Sequence, residues 1–116
     1  MDVHGIAGKL QHCAKWPEFS FGVAARCDGT VVAIEGSLTA AGADGLYDAL
    51  FGNREAIVDL CASLDGQLEP RIWSQGRVRC AVYRPEPGVV LGVFVESDKT
   101  NADLYREFAA LKSSLQ

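Results

Sequence analysis

"GVVLGVFVES", residues Gly88 to Ser97, decides how the rest of the chain folds. From Val89 to Val95 every residue except Gly92 is apolar, and Val89, Val90, Val93 and Val95 are β-branched. A run this short is well under the ~20 apolar residues that cross a membrane. It also lacks the polar–apolar alternation of a strand with one wet face, and therefore reads as a strand covered on both faces. The rest of the chain must supply the sheet around it and the two layers that cover it.

The neighbouring segments supply both. Phe19, Phe21, Val23, Ala25 and Cys27 alternate with Ser20, Gly22, Ala24 and Arg26, and Asp28-Gly29 marks a hairpin turn that returns as Thr30 to Glu35; such turns need the positive φ that Gly and Asp tolerate. Glu69 to Ser74 is a short strand with Pro70 near its start, which suits an edge because proline donates nothing to a ladder. Gln75-Gly76 turns the chain into Arg77 to Arg84, and "PEPG", Pro85 to Gly88, turns it again into the opening stretch.

Helical spacing occupies the remainder. Val3, Ile6, Leu10 and Cys13 recur every three or four residues until Pro17. "SLTAAGADG", Ser37 to Gly45, is an entry loop of small residues, and helical pattern follows from Ala43 to Leu64, with Gly66 placed as a C-cap. Gly52-Asn53 interrupts this stretch: Gly costs about 1 kcal/mol inside a helix, and Asn caps a new one. One bent helix and two abutting helices both fit. A last helix starts after Asp98, with Thr100 and Asp103 spaced as a capping box, and carries Leu104, Phe108, Leu111 and Leu115 as its apolar stripe. The order is helix, two strands, helix, three strands, helix. The expected fold is an α+β, five-stranded antiparallel sheet with Val89–Val95 central, the first and last helices on one face and the middle helical stretch on the other. We expect one domain spanning residues 1–116, without repeats or linkers.

Composition limits the partners. The 116 residues are 48% hydrophobic and 22% charged, which argues against disorder. The net charge of −4 recommends neither nucleic acid nor an anionic membrane. "MDVHGIAGKL" lacks the positive start and apolar core of a signal peptide, so a cytoplasmic location is expected. The four cysteines, Cys13, Cys27, Cys61 and Cys80, lie in four separate apolar segments with no CxxC pair. They read as buried thiols rather than as a disulfide framework.

Chemistry is sparse. The chain has no GxxxxGK[ST] loop, no GxSxG and no HExxH. His4, His12 and Cys13 match no zinc spacing and read as solvated or packed side chains. Gly42-Ala43-Asp44-Gly45 precedes a helix, but Asp44 opposes an anion there. Arg71, Arg77, Arg79 and Arg84 fall on neighbouring strands; contacts with carboxylates or solvent are the expectation, since no interleaved aromatics accompany them. Neither a catalytic residue, a metal ligand nor a cofactor site is assigned.

Surplus apolar surface is the more informative feature. At 100° per residue the middle helical stretch places Leu46, Leu50, Ile57, Cys61 and Leu64 in one stripe, with Asp44, Asp48, Glu55 and Asp59 opposite. Tyr47, Phe51 and Val58 make a second stripe, which widens the apolar arc beyond one core contact. Asn53 falls inside this arc. The second stripe either packs on the chain's own loops or meets another protein. The neighbouring edge strand "EPRIWS" presents Ile72 and Trp73 where a guarded edge carries lysines.

The order of elements, the "GVAARCDGTVVA" hairpin (Gly22 to Ala33) and "VLGVFVESDKTNADLYREF" (Val90 to Phe108) resemble the roadblock family, named for dynein light chains, over about residues 3 to 115. The resemblance implies a profilin-like αββαβββα fold and a homodimer, with the middle helices packed together and the third strands paired across a two-fold axis. It puts Tyr47, Phe51, Arg54, Val58, Arg71, Ile72 and Trp73 at a dimer or partner interface. It also implies a non-enzymatic role, as a regulator of small Ras-like GTPases or as a scaffold. The family shares no catalytic motif, and Gly52-Asn53 departs from a continuous middle helix. The alternative is a small-ligand sensor, which needs a preformed apolar pocket with a few convergent polar groups.

Overall fold

The structure, a computed structural model, describes residues 3–37, 43–67 and 70–114 and the side chains of all of these except Val3, His4, Ala43 and Asp44. The expectations for Leu115, for Glu69, for the entry loop at 38–42 and for the side chains of Val3, His4 and Asp44 lie outside what is described.

The elements run α1 (Val3–Ala14), β1 (Phe21–Arg26), β2 (Val31–Gly36), α2 (Ala43–Phe51), α3 (Arg54–Ser63), β3 (Arg71–Gln75), β4 (Val78–Tyr83), β5 (Val89–Glu96) and α4 (Asn101–Ser114). The five strands form one antiparallel sheet in the order β2-β1-β5-β4-β3. β5 is central, and Val89 through Val95 are all buried. Its residues divide between the layers as alternation requires. Val90 and Phe94 face α2 and α3, while Val89, Leu91, Val93 and Val95 face α1 and α4.

Gly92, the exception in the apolar run, has a packing reason. A Cβ there would lie 2.5 Å from Cε2 of Phe51 and 3.3 Å from Cγ1 of Val23. The missing side chain is the seat for the Phe51 ring, which is only 2% exposed.

The middle helical stretch is two helices. Gly52 ends α2, where a Cβ would lie 2.5 Å from the Asp48 carbonyl oxygen. Asn53 then takes extended backbone, and its side chain accepts the Ala56 N–H at 2.9 Å, capping α3. The helical phase restarts at this cap. The first stripe holds: Leu46, Leu50, Ile57, Cys61 and Leu64 are all buried. The second stripe does not stay together, because Phe51 is enclosed while Val58 is 40% exposed.

The hairpin turn is longer than the two-residue form that Asp-Gly suggests. Arg26 N–H bonds the Thr30 carbonyl at 2.8 Å, so three residues, Cys27 to Gly29, make the turn. Only Gly29 takes positive φ, at +103°. Asp28 stays in ordinary backbone and its carboxylate accepts the Thr30 N–H at 3.0 Å. The Thr30 hydroxyl, and then this N–H, hold the Asp28 carboxyl below its usual range.

α1 and α4 close the other face. Ile6, Leu10 and Cys13 from α1 and Leu104, Phe108 and Leu111 from α4 are buried on the sheet. Trp16 meets Phe108 edge-on at 5.3 Å. Tyr83, buried in the sheet, donates its hydroxyl to the Phe108 carbonyl at 3.0 Å. Thr100 caps α4 by accepting the Asp103 N–H at 3.1 Å, and Asp103 also pairs with Arg106. Lys99 bridges Glu107, at 2.8 Å, and Glu18 beneath it. None of the described helices is long and apolar enough to cross a membrane.

The cysteines depart from the sequence reading. Cys27 and Cys61 form a disulfide, with their Cα atoms 5.7 Å apart, inside the usual bridging range. The two lie 34 positions apart, and only the passage of α3 over the end of the hairpin brings them together. Cys13 and Cys80 remain free and buried.

Candidate functional site: the α2–α3–β3 surface

Among the described residues β3 pairs only with β4, at the edge of the sheet. Alternation sends Arg71 and Trp73 toward the α2–α3 layer and Ile72 to the opposite face. The Arg71 guanidinium lies over the Trp73 ring at 4.9 Å and donates to the Ser63 carbonyl at 3.4 Å. This stacking holds the indole against the helices, and Trp73 is only half-buried on the cluster below. An open groove of ≈ 370 Å³ runs between β3 and the two helices, with Ala49, Ala56, Asp59, Leu60, Arg71 and Trp73 among its walls. The small side chains of Ala49 and Ala56 keep it open beside the indole. The exposed Val58 is on α3, one position before Asp59.

The seven residues expected at an interface therefore separate. Arg71, Trp73 and Val58 are at least partly exposed on the helix layer or its edge. Tyr47 is half-buried; it packs edge-on against Phe21 at 5.5 Å and stacks with Phe51 at 6.2 Å. Burial, and then Asp48, push its phenol up from the ordinary value. Phe51 is a correction: it is enclosed in the chain's own core, because Gly92 leaves its ring room. Ile72 is half-buried and packs against the α1–α4 cluster, on the far side of the sheet from Trp73. Arg54 faces the hairpin, where its Nε donates to the Asp28 carbonyl at 3.1 Å.

The aromatic cluster of Phe21, Tyr47, Phe51 and Phe94 beneath α2 was not anticipated. Neither was the burial of Leu60. Leu60 follows Ile57 by three positions and shares its buried face of α3; that spacing is the signal that could have revealed it.

The remaining polar candidates are engaged. Arg77 pairs with Asp98 at 2.8 Å and Glu96 at 3.5 Å, and Arg84 pairs with Asp65 at 2.7 Å. Arg79 donates to the Gly76 carbonyl. His12 shares a hydrogen bond with Ser114 at 2.9 Å. Among the described residues, no group of three His, Cys, Asp or Glu side chains is gathered as a metal site.

The geometry has known counterparts. A roadblock/LC7 domain from Streptomyces avermitilis superposes with a TM-score of 0.56 at 22% identity, over 98% of this chain and 93% of that one. The fold is that of roadblock/LC7 domains. Myxococcus xanthus MglC gives a TM-score of 0.63 at 12% identity, over 96% of each chain. Myxococcus xanthus MglB gives 0.60 at 15% identity, over 98% of this chain and 86% of its own. Another MglB structure similar to this chain has a tetrameric arrangement. No family model and no curated protein matches the sequence; at these identities the likeness is one of fold.

Proposed function

We propose that this roadblock-like chain is a non-enzymatic interaction module. It pairs with a second copy through β3 and the adjoining α2–α3 surface, and the pair acts as a regulator of, or scaffold for, a small Ras-like GTPase. The observation that carries the reading is Trp73. It is a half-buried indole on an edge strand, stacked by Arg71, beside an open groove walled by Ala49, Ala56, Asp59 and Leu60. Aromatic and arginine side chains at such places are the usual anchors of protein interfaces, and an open edge offers unpaired backbone to another strand. The groove is open rather than enclosed, which favours a protein surface over the pocket of a small-ligand sensor. The tetrameric arrangement of one similar MglB supports assembly between copies of this fold. The GTPase part rests on the resemblance to the roadblock family. The cytoplasm is the proposed location.

Sedimentation velocity from one to a hundred micromolar tests the pairing. We expect a dimer in this range, weakened at least tenfold by Trp73→Glu; a monomer throughout sinks the proposal. The partner is tested by calorimetric titration of the dimer with the host's small Ras-like GTPases, loaded in turn with GDP and GTP. Binding that depends on the nucleotide is expected, and no heat with any of them removes the GTPase part.

A further inference from the structure

Beyond its Asn53 cap and its buried face, three ties hold α3. At its start Arg54 donates to the Asp28 carbonyl, at its end Arg71 donates to the Ser63 carbonyl, and between them the Cys27–Cys61 disulfide ties it to the hairpin. The two hydrogen bonds are exposed, so each is worth little net. The covalent anchor is the decisive one. The helix it ties down walls the groove with Ala56, Asp59 and Leu60.

The two sulfurs differ in access. Cys27 is half-buried at the start of the turn, whereas Cys61 is buried. The other thiols are poor participants in exchange. Burial pushes Cys13 up to about 11 and Cys80 well above its ordinary value, and a thiol must ionise to react. In a cytoplasmic protein, the proposed location, disulfides are usually transient and sense redox state.

We propose that Cys27–Cys61 is a reversible thiol–disulfide switch that sets how α3 is seated and, through α3, how well the groove beside β3 takes a second copy. This rests on the reading of that groove as the pairing surface. A small external dithiol supplies the electrons. Its thiolate attacks the Cys27 sulfur, the S–S bond breaks, and Cys61 leaves with the electron pair and takes up a proton. The dithiol's second thiolate then attacks its own sulfur in the mixed disulfide and releases Cys27, which is protonated in turn. The protein gains two electrons and two protons, and the dithiol becomes a disulfide; oxidation by that disulfide is the reverse.

The test uses the intact chain equilibrated in graded ratios of reduced to oxidised dithiothreitol, quenched with iodoacetamide and mapped by mass spectrometry. Two alkyl groups are expected to appear together, on Cys27 and Cys61, reversibly, with Cys13 and Cys80 unlabelled in the folded state. Amide exchange in α3 is expected to quicken at least tenfold on reduction while α1 and α4 stay unchanged, and the dimer to dissociate at least tenfold more readily. Because both states come from the unmutated protein, a folding defect in a variant does not confuse the comparison; Cys27→Ser should behave as the reduced chain in either buffer. Full labelling of Cys27 and Cys61 at every ratio overturns the switch, as does α3 exchange or dimer dissociation unchanged within twofold. A chain that is monomeric in both states overturns the pairing itself and its control, and α3 exchange still reports whether the bond seats the helix.

Discussion

The sheet is covered on its two faces in different ways. On one face α1 and α4 lay complete apolar stripes on the strands, and the joint is sealed by the Tyr83 hydroxyl on the Phe108 carbonyl and by Lys99 between Glu18 and Glu107. On the other, a broken helix is tied down by a disulfide and two side-chain hydrogen bonds, and Trp73, Tyr47 and Val58 are left partly exposed. The cores beneath are equally dry: Phe51 is 2% exposed and Phe108 0%. What differs is the edge of the layer: Tyr105 on α4 and Val58 on α3 are both 40% exposed, but the α2–α3 face also carries the Arg71–Trp73 stack and the open groove beside it. A face with a full core and an unfinished exterior can join a partner without unfolding, which is what an interaction module requires.

The largest expected effects test whether the two cores are equivalent. Phe51→Ala and Phe108→Ala should each cost about 3–5 kcal/mol in urea unfolding, the usual range for emptying a buried aromatic site. A cost under about 1 kcal/mol at Phe51 alone would break the comparison, because the α2–α3 face would then have no true core. Val58→Ala, on the surface of the same layer, should change stability by less than about 1 kcal/mol.

Next is the alkaline limit. Burial raises the Tyr83 phenol and the Cys13 and Cys80 thiols above their ordinary values of 10.0 and 9.0. The unfolded chain therefore loses these protons first. Stability is full below about pH 9 and falls as pH rises toward the folded values, by about 1.4 kcal/mol per pH unit for each group in the affected window. Urea midpoints between pH 8 and 11 measure the slope. Tyr83→Phe should make it shallower above pH 10, and an unchanged slope would show that the phenol is not sealed on the α1–α4 face.

Smaller changes sharpen the contrast. Gly92→Ala puts a methyl group into the Phe51 ring and should cost about 1–3 kcal/mol. A neutral result would mean that the ring is not seated there. Asn53→Ala removes the α3 cap and should cost about 1 kcal/mol. Hydrogen exchange should show that loss in α3 and leave α1 and α4 as they were; loosening on both faces would show that the two layers are not independent.

Much of this was legible in the chain because the signals are local. The double-sided run at Val89–Val95 identified the central strand, Pro70 suited an edge, and the stripes of α1 and α4 assigned their buried faces. The misreadings share one cause, which is that they depend on what meets across space. Continuing one helical phase through Gly52-Asn53 grouped Phe51 with Val58, but the Asn53 cap restarts the helix and leaves one residue inside and the other out. Cys27 and Cys61 read as separate buried thiols, yet the fold joins them across 34 positions.

By itself, then, the sequence determined the strand and helix order, the central place of β5 and the two-layer cover, because side-chain periodicity and turn chemistry act over a few residues. The tertiary structure alone decided that Cys27 meets Cys61, that Phe51 fills the space above Gly92, and that Trp73 stays half outside beneath Arg71. Those outcomes depend on how α2, α3 and β3 pack on one another and on the sheet, and that is set by contacts between segments far apart in the chain.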